Sequence, residues 1–312
     1  MCGIAGIIDF NIGPVSRNDL EKFSFSIKHR GPDADGYELL AKNQVGFAHK
    51  RLSILDLTEG ANQPMQSRNG RYTIIFNGEV FNFLEIKQEL ESLGRKFETK
   101  SDTEVVLEAY DEWGQEAFHR FNGMWAFAIF DKQNQELLLC RDRFGIKPLF
   151  YLKNEKQFAF ASETNCFRDL RNYKRSFNIS VLKESVDDPY YASAKNLSIF
   201  NDIVSLPAGC FMTLKLNGNC QTERWYNLQK RCANNPQPYE KGKFRELFLD
   251  AVKIRLRSDV GIGTAFSGGM DSSAIFSTIQ YLANQSQASL QRLPKDWQTA
   301  FTVAVSENKD LD

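Results

Sequence analysis

Met1-Cys2-Gly3-Ile4-Ala5-Gly6-Ile7-Ile8-Asp9-Phe10 opens the sequence and decides how the rest is read. Ile4 to Phe10 is an apolar run of strand length, which predicts a buried strand directly behind Cys2. Removal of the initiator methionine, which the small Cys2 side chain permits, puts a thiol and a free α-amine on one residue. That amine has an ordinary pKa of about 7.7–8.0 and the thiol about 8.5. A neutral amine can therefore take the thiol proton near neutral pH, directly or through water, and activate the nucleophile with no histidine. On position alone Cys2 reads first as a small apolar residue at a strand start, and it is the residues downstream that overturn that reading.

Outward from that strand, Ser16 and Asp19 form an S-x-x-D capping box, with Leu20, Phe23 and Ile27 behind them at helical spacing. His29 to Gly36 reads as a turn-rich loop. A strand is expected from Gln44 to His49, followed by a loop from Arg51 to Asp56. Tyr72 to Phe76 is strongly β-forming and is expected to end at Asn77-Gly78-Glu79. Helices are predicted over 82–93, with Leu90 and Leu93 inward and Gly94 as the stop, and from Ser101-Asp102 to Trp113. Met124–Phe130 and Glu136–Arg141 read as a hairpin around residues 132–135. Strands are expected at 150–152, 158–161 and within 203–216.

The polar stretch from Arg231 to Gly242, with Asn-Asn-Pro and Gln-Pro, reads as the centre of a linker. Beyond it the pattern is helix at 244–255, strand at 260–266, helix at 272–284 and strand at 301–305, the start of an α/β domain. Residues 240–312 supply only one lead helix and one βαβ unit, so this domain is expected to be cut short. The expected division is 2–215, a linker 216–239, and 240–312.

Composition narrows the function classes. The chain has 312 residues, enough for roughly two domains. Lys plus Arg and Asp plus Glu each number 39, which offers no electrostatic footprint for nucleic acid or an anionic membrane. No apolar run reaches membrane-span length, and Met1–Ile4 lacks a basic signal-peptide start. Six scattered cysteines without a CxxC pair, and only three histidines, point to free thiols, no zinc site and a cytoplasmic setting.

Cys2-Gly3, His29-Arg30-Gly31-Pro32-Asp33, Arg51-Leu52-Ser53-Ile54, Asn77-Gly78-Glu79, Ser101-Asp102 and Arg141-Asp142-Arg143-Phe144-Gly145 with Lys147-Pro148-Leu149 together resemble the class II glutamine amidotransferases of the N-terminal-nucleophile hydrolases. The likeness spans nearly all of residues 2–215 and implies an α+β fold, an αββα sandwich. It implies Cys2 as nucleophile, and Asn77 and the Gly78 N–H as donors to the tetrahedral oxyanion. It implies a glutamine site of Arg51, Leu52, Ser53, Ile54, Asn77, Gly78, Glu79 and Asp102. There Arg51 would offer its planar fork to the substrate carboxylate, and Glu79 and Asp102 their charge to its ammonium. Taken singly, Asn77-Gly78 is a turn, Asp102 a helix cap and Arg51 a surface charge. His49 and His119 are expected to be structural and His29 to support its loop.

Phe266-Ser267-Gly268-Gly269-Met270-Asp271-Ser272-Ser273 lies between an expected strand and helix, the context a phosphate cradle requires. It resembles the PP-loop of ATP pyrophosphatases, an α/β, Rossmann-like fold. The resemblance implies ATP contacts from Phe266, Ser267, Gly268, Gly269, Asp271, Ser272 and Val303, and Mg²⁺ at Asp271. The pair of domains is similar to the glutamine-hydrolysing asparagine synthetases. Their chemistry implies ammonia release from glutamine and ATP-driven adenylation of aspartate, giving asparagine, AMP and pyrophosphate. Homodimeric assembly is one arrangement that resemblance allows, with no nucleic-acid or membrane partner. Alternatives are amidation of a different carboxylate, delivery of ammonia to a sugar phosphate or to phosphoribosyl pyrophosphate, a non-catalytic storage or regulatory role, and glutamine hydrolysis alone.

Overall fold

The computed structural model describes residues 1–234, 236, 238–285 and 298–302. The chain divides into two compact units, Met1–Asn234 and Asn235–Asp312.

Twelve strands build the first unit: β1 (Gly3–Asp9), β2 (Ala34–Leu40), β3 (Val45–Arg51), β4 (Met65–Gln66), β5 (Tyr72–Val80), β6 (Gly123–Asp131), β7 (Glu136–Arg141), β8 (Phe150–Lys153), β9 (Gln157–Ala161), β10 (Ile203–Ser205), β11 (Cys210–Lys215) and β12 (Cys220–Arg224). They form two six-stranded sheets, ordered β10-β8-β9-β1-β3-β2 and β12-β11-β7-β6-β5-β4. β1 lies inside the first sheet, antiparallel to both β3 and β9, and every one of its residues is buried. That burial on both faces is why its sequence is continuously apolar rather than alternating.

Period-two alternation assigns the faces. Ile4 and Ile8 of β1, Phe47 of β3, Ile75 of β5, Ala126, Ala128 and Phe130 of β6 and Leu137 and Leu139 of β7 share one core between the sheets. Ala5 and Ile7 face the other way, onto Leu20 and Phe23 of helix α1 (Arg17–Phe25). Ile74, Phe76, Phe127 and Ile129 face helices α2 (Phe83–Ser92) and α3 (Asp102–Trp113). The layers are therefore helix, sheet, sheet, helix, the α+β sandwich expected.

Local signals explain the helix ends. Ser16 and Asp19 close a reciprocal capping box at α1, and Ser101 caps α3 by accepting from the Thr103 N–H. Gly94 and Gly114 come just after α2 and α3 with positive φ. Several expectations are corrected. β2 begins at Ala34, inside the stretch read as a loop, because Ala34–Leu40 pairs with β3. Asn77-Gly78-Glu79 lies within β5, paired with Ala126, Trp125 and Met124, and is no turn. Leu93, expected inward, is exposed because the helix has already ended there.

Residues 216–239, expected as linker, hold β12 and a helix over Leu228–Asn234. All five β12 residues are exposed. An edge strand wet on both faces carries no apolar alternation, so its polar sequence is indistinguishable from a linker.

The second unit is described by itself. Helices Lys241–Ile254 and Met270–Gln285 pack through Val252, Leu256 and Ile279, and strand Ile262–Ala265 pairs in parallel with Gln298–Phe301. The described part of the expected strand at 301–305 begins earlier, at Gln298, and runs to Phe301; residues 303–305, Val303 among them, lie outside the described residues. No helix among the described residues is long and apolar enough to cross a membrane.

Candidate active site

The two sheets meet at one end in a cavity of about 380 Å³. Cys2, one residue before β1, lines it beside Arg51 from the end of β3, Asn77-Gly78-Glu79 from the end of β5, and Asp102 from the first turn of α3. Four segments far apart in sequence are thus brought to one place by sheet stacking.

Cys2 is held from both sides. Its carbonyl accepts from Arg30 Nε at 2.9 Å, and Arg30 is itself paired to Glu163 at 2.9 Å. Its sulfur accepts the Leu52 N–H at 3.4 Å and donates toward the Leu52 carbonyl at 3.6 Å. Burial pushes the thiol pKa up, and the Leu52 N–H and the terminal ammonium act against that. Burial also draws the terminal ammonium down, toward the neutral amine.

Asn77 is 1% exposed, and neither polar atom of its side-chain amide has a hydrogen-bond partner among the described residues. A buried, unpaired amide in a cavity wall costs about 1–3 kcal/mol unless a ligand uses it. Beside it, a Cβ on Gly78 would fall 2.4 Å from the Met124 carbonyl oxygen, so only glycine fits that strand position. Gln63 braces this wall: its Oε1 accepts the Phe76 N–H at 2.6 Å and its Nε2 donates to Thr103 Oγ1 at 3.1 Å.

Arg51 is buried, with Nη1 donating to the Thr58 carbonyl and to Asn62 Oδ1, both at 2.8 Å, and Nη2 donating to the Asp56 carbonyl. Three of the guanidinium's five N–H groups are thereby occupied and the head is fixed in place. Asp102 accepts the Val80 N–H at 3.0 Å, yet burial first and the neighbouring Glu79 charge second push its pKa up to about 7. Burial also raises Glu79, opposed by Lys147 and the terminal ammonium.

Ser53 is the one expected glutamine-site residue that does not line the cavity. Its N–H is tied to Asp33 Oδ2 at 2.7 Å, so it fixes the loop instead. His49 is buried against the Phe76 carbonyl at 3.2 Å, with burial lowering its pKa to about 3, a neutral core residue. His29 sits against Glu163 and His119 against Trp225. Lys147, Gln63 and Thr103 line the cavity without having been singled out for it. Lys147 at least lay within a recognised motif, whereas Gln63 and Thr103 are ordinary polar residues that only the fold brings in.

In the second unit, Ser267–Asp271 is exposed between strand and helix, with Gly268 at φ +80°. Ser267 Oγ lies 3.1 Å from Ser272 Oγ, and Ser272 Oγ donates to the Gly269 carbonyl at 3.1 Å. Among the described residues no acceptor takes the N–H groups of Gly268, Met270 or Asp271. Free amides at the start of a sixteen-residue helix suit phosphate oxygens. Asp271 lies in the first turn of that helix and would offer one carboxylate to a cation shared with phosphates. The Phe266 N–H is spent on the Phe301 carbonyl at 2.8 Å and its ring packs on Phe276, which leaves no free amide there for a nucleotide.

Residues 1–226 match the glutamine amidotransferase domain family, and residues 243–312 match the asparagine synthase family. A putative glutamine-hydrolysing asparagine synthetase of Methanocaldococcus jannaschii is 34% identical over 92% of this chain and 58% of its own length. Asparagine synthetase 2 of Bacillus subtilis, also glutamine-hydrolysing by name, is 37% identical over 88% of this chain and 38% of its own. The chain thus spans about two-fifths to three-fifths of these relatives. The glutamine phosphoribosylpyrophosphate amidotransferase of B. subtilis superposes with a TM-score of 0.55 at 19% identity, over 72% of this chain and 49% of its own. That likeness concerns the fold.

Proposed function

The chain belongs to the glutamine amidotransferase family, and on that premise we propose that its first unit hydrolyses glutamine through Cys2. The observation that carries the reading is the buried, unpartnered amide of Asn77 in the wall of the cavity that Cys2 lines. With Met1 removed, the Cys2 amine takes the thiol proton and Sγ attacks the side-chain amide carbon of glutamine. The oxyanion formed is received by the Asn77 amide and the Gly78 N–H. Collapse expels ammonia, which carries off the proton held by the amine, and leaves a thioester that water hydrolyses to glutamate. The two N–H groups left on Arg51 receive the substrate's α-carboxylate, and Glu79 and Asp102 receive its ammonium.

The second unit's loop binds the phosphates of ATP through Ser267, Gly268, Gly269 and Ser272, with Asp271 offering one carboxylate to Mg²⁺. In the relatives' named reaction ammonia would then convert aspartate to asparagine, with AMP and pyrophosphate released. Six free cysteines suit a reducing, cytoplasmic setting.

The test is glutamate release from glutamine, with the mass of the N-terminal peptide recorded. Cys2→Ala is expected to lower release by at least about a thousandfold. Release unchanged in that variant, or a Met1 still attached in fully active protein, overturns the reading. Asparagine and AMP from aspartate, ATP and glutamine support the synthetase reaction; glutamate and ammonia alone would confine the activity to the first unit.

A further inference from the structure

Lys147 is the unexplained charge in the cavity. It is 4% exposed, yet its ammonium makes no ion pair among the described residues. Among those residues the only hydrogen-bond partner of Nζ is the thioether of Met1, at 3.2 Å. A thioether is a weak acceptor, and the Glu79 charge that faces this ammonium lies outside ion-pair distance, so the buried cation is only partly compensated. A fold does not place such a group in a cavity by default, and here it is placed with force.

The force comes from Asp142 and Arg141. Asp142 is fully buried and its carboxylate accepts four backbone N–H groups, from Trp125, Phe144, Ile146 and Lys147, at 3.0–3.2 Å. Arg141 clamps the same loop from the other side, donating to the carbonyls of Lys147, Gly145 and Leu206. The segment 141–147 is a rigid bracket whose last residue projects an ammonium to the nucleophile's end of the cavity.

We propose that Lys147 is a positioning residue of the glutaminase site, whose charge acts through Cys2 and favours loss of the first proton from its thiol–amine pair. The inference rests on the glutaminase reading above. The groups facing this pair and Lys147 are Glu79 on β5, Arg30 from the turn at 28–30, Asp142 beside Lys147, and Asp102 and Arg51 beside the thiol. With Met1 gone, Nζ loses its thioether acceptor and the terminal amine becomes that of Cys2, which lines the same cavity. The fully protonated pair carries +1, and losing one proton makes it neutral whichever atom gives it up. A fixed cation nearby favours that loss, so the first macroscopic pKa of the pair falls. Burial lowers the pKa of Lys147 itself, and Glu79 and Cys2 oppose that fall.

The test is the pH dependence of Cys2 alkylation by iodoacetamide, tracked by peptide mass in the full chain with Met1 removed. Wild type, Lys147→Met, Lys147→Gln and Lys147→Arg are compared. The two neutral variants are expected to move the midpoint up by about one pH unit, and Lys147→Arg to restore it. Lys147→Met keeps a chain of similar length but removes the cation facing Glu79, so thermal unfolding of each variant is recorded beside its alkylation curve, and Lys147→Gln supplies a second neutral side chain. Superimposable curves for wild type and both neutral variants overturn the proposal. Alkylation needs no glutamine, so a wild type that releases no glutamate would sink the glutaminase reading while this curve still reports on Lys147.

Discussion

Gly78 stands directly opposite Trp125 in the β5–β6 ladder, with no room between the strands for a side chain. A Cβ there would lie 2.8 Å from Trp125 Cα as well as 2.4 Å from the Met124 oxygen. Gly78→Ala is therefore expected to destabilise the first unit by about 1–3 kcal/mol and to displace the N–H aimed at the cavity. Thermal unfolding together with glutamine kinetics checks this. A variant with parent stability and parent kcat would show that β5 has slack at this point.

Asn77→Ala separates oxyanion stabilisation from binding. Loss of one donor is expected to lower kcat about 10²–10³-fold while KM for glutamine changes little. The protein itself is expected to lose little stability, since the amide removed makes no hydrogen bond among the described residues. A fall confined to KM would assign Asn77 to the substrate's ground state.

Asp102 sets a pH window. Burial raises its folded pKa from 3.8 to about 7, so the stability linked to its neutral form is complete below pH 3.8 and is lost as pH rises through about 7. The free protein should lose stability between roughly pH 4 and pH 7 through this group, and Asp102→Asn should flatten that slope. Glutamine binding should run the opposite way, weakening as pH falls below 7, because the substrate ammonium needs the ionised carboxylate. Denaturant unfolding of the free protein across this range reads the first sign and titration of glutamine into Cys2→Ala protein the second, and pH-independent affinity would remove Asp102 from the binding site.

Asp271→Ala tests the second unit alone. ATP turnover is expected to disappear while glutamate release stays at the parent level. Unchanged ATP consumption would show that the Ser267–Ser272 loop does not hold the triphosphate.

Most of the sandwich was legible because each element carried its own signal. Ser16 with Asp19, Gly94 and Gly114 mark helix ends through backbone requirements that act locally. β1 and β6 announce themselves through runs of apolar residues that only burial explains. What escaped was non-local. Asn77-Gly78 has the composition of a turn, and only the partner strand shows that it is held extended. β2, half-buried along most of its length, and β12, wet throughout, lack the alternation that betrays a strand. In the site, Cys2, Arg51, Asn77 and Asp102 were named from a joint motif. That no carboxylate among the described residues comes within ion-pair distance of the Lys147 ammonium depends on how the fold spaces it from Glu79, and sequence cannot express that.

β12 has one further consequence. The second sheet ends on one side in this strand, whose Glu223 and Arg224 are exposed, and on the other in β4, only two residues long. A neighbouring chain seeking to extend the sheet would have to strip water from charges on one rim and would find almost no backbone to grip on the other. For a protein with 25 phenylalanines and two large stacked sheets, that arrangement is a guard against fibril growth.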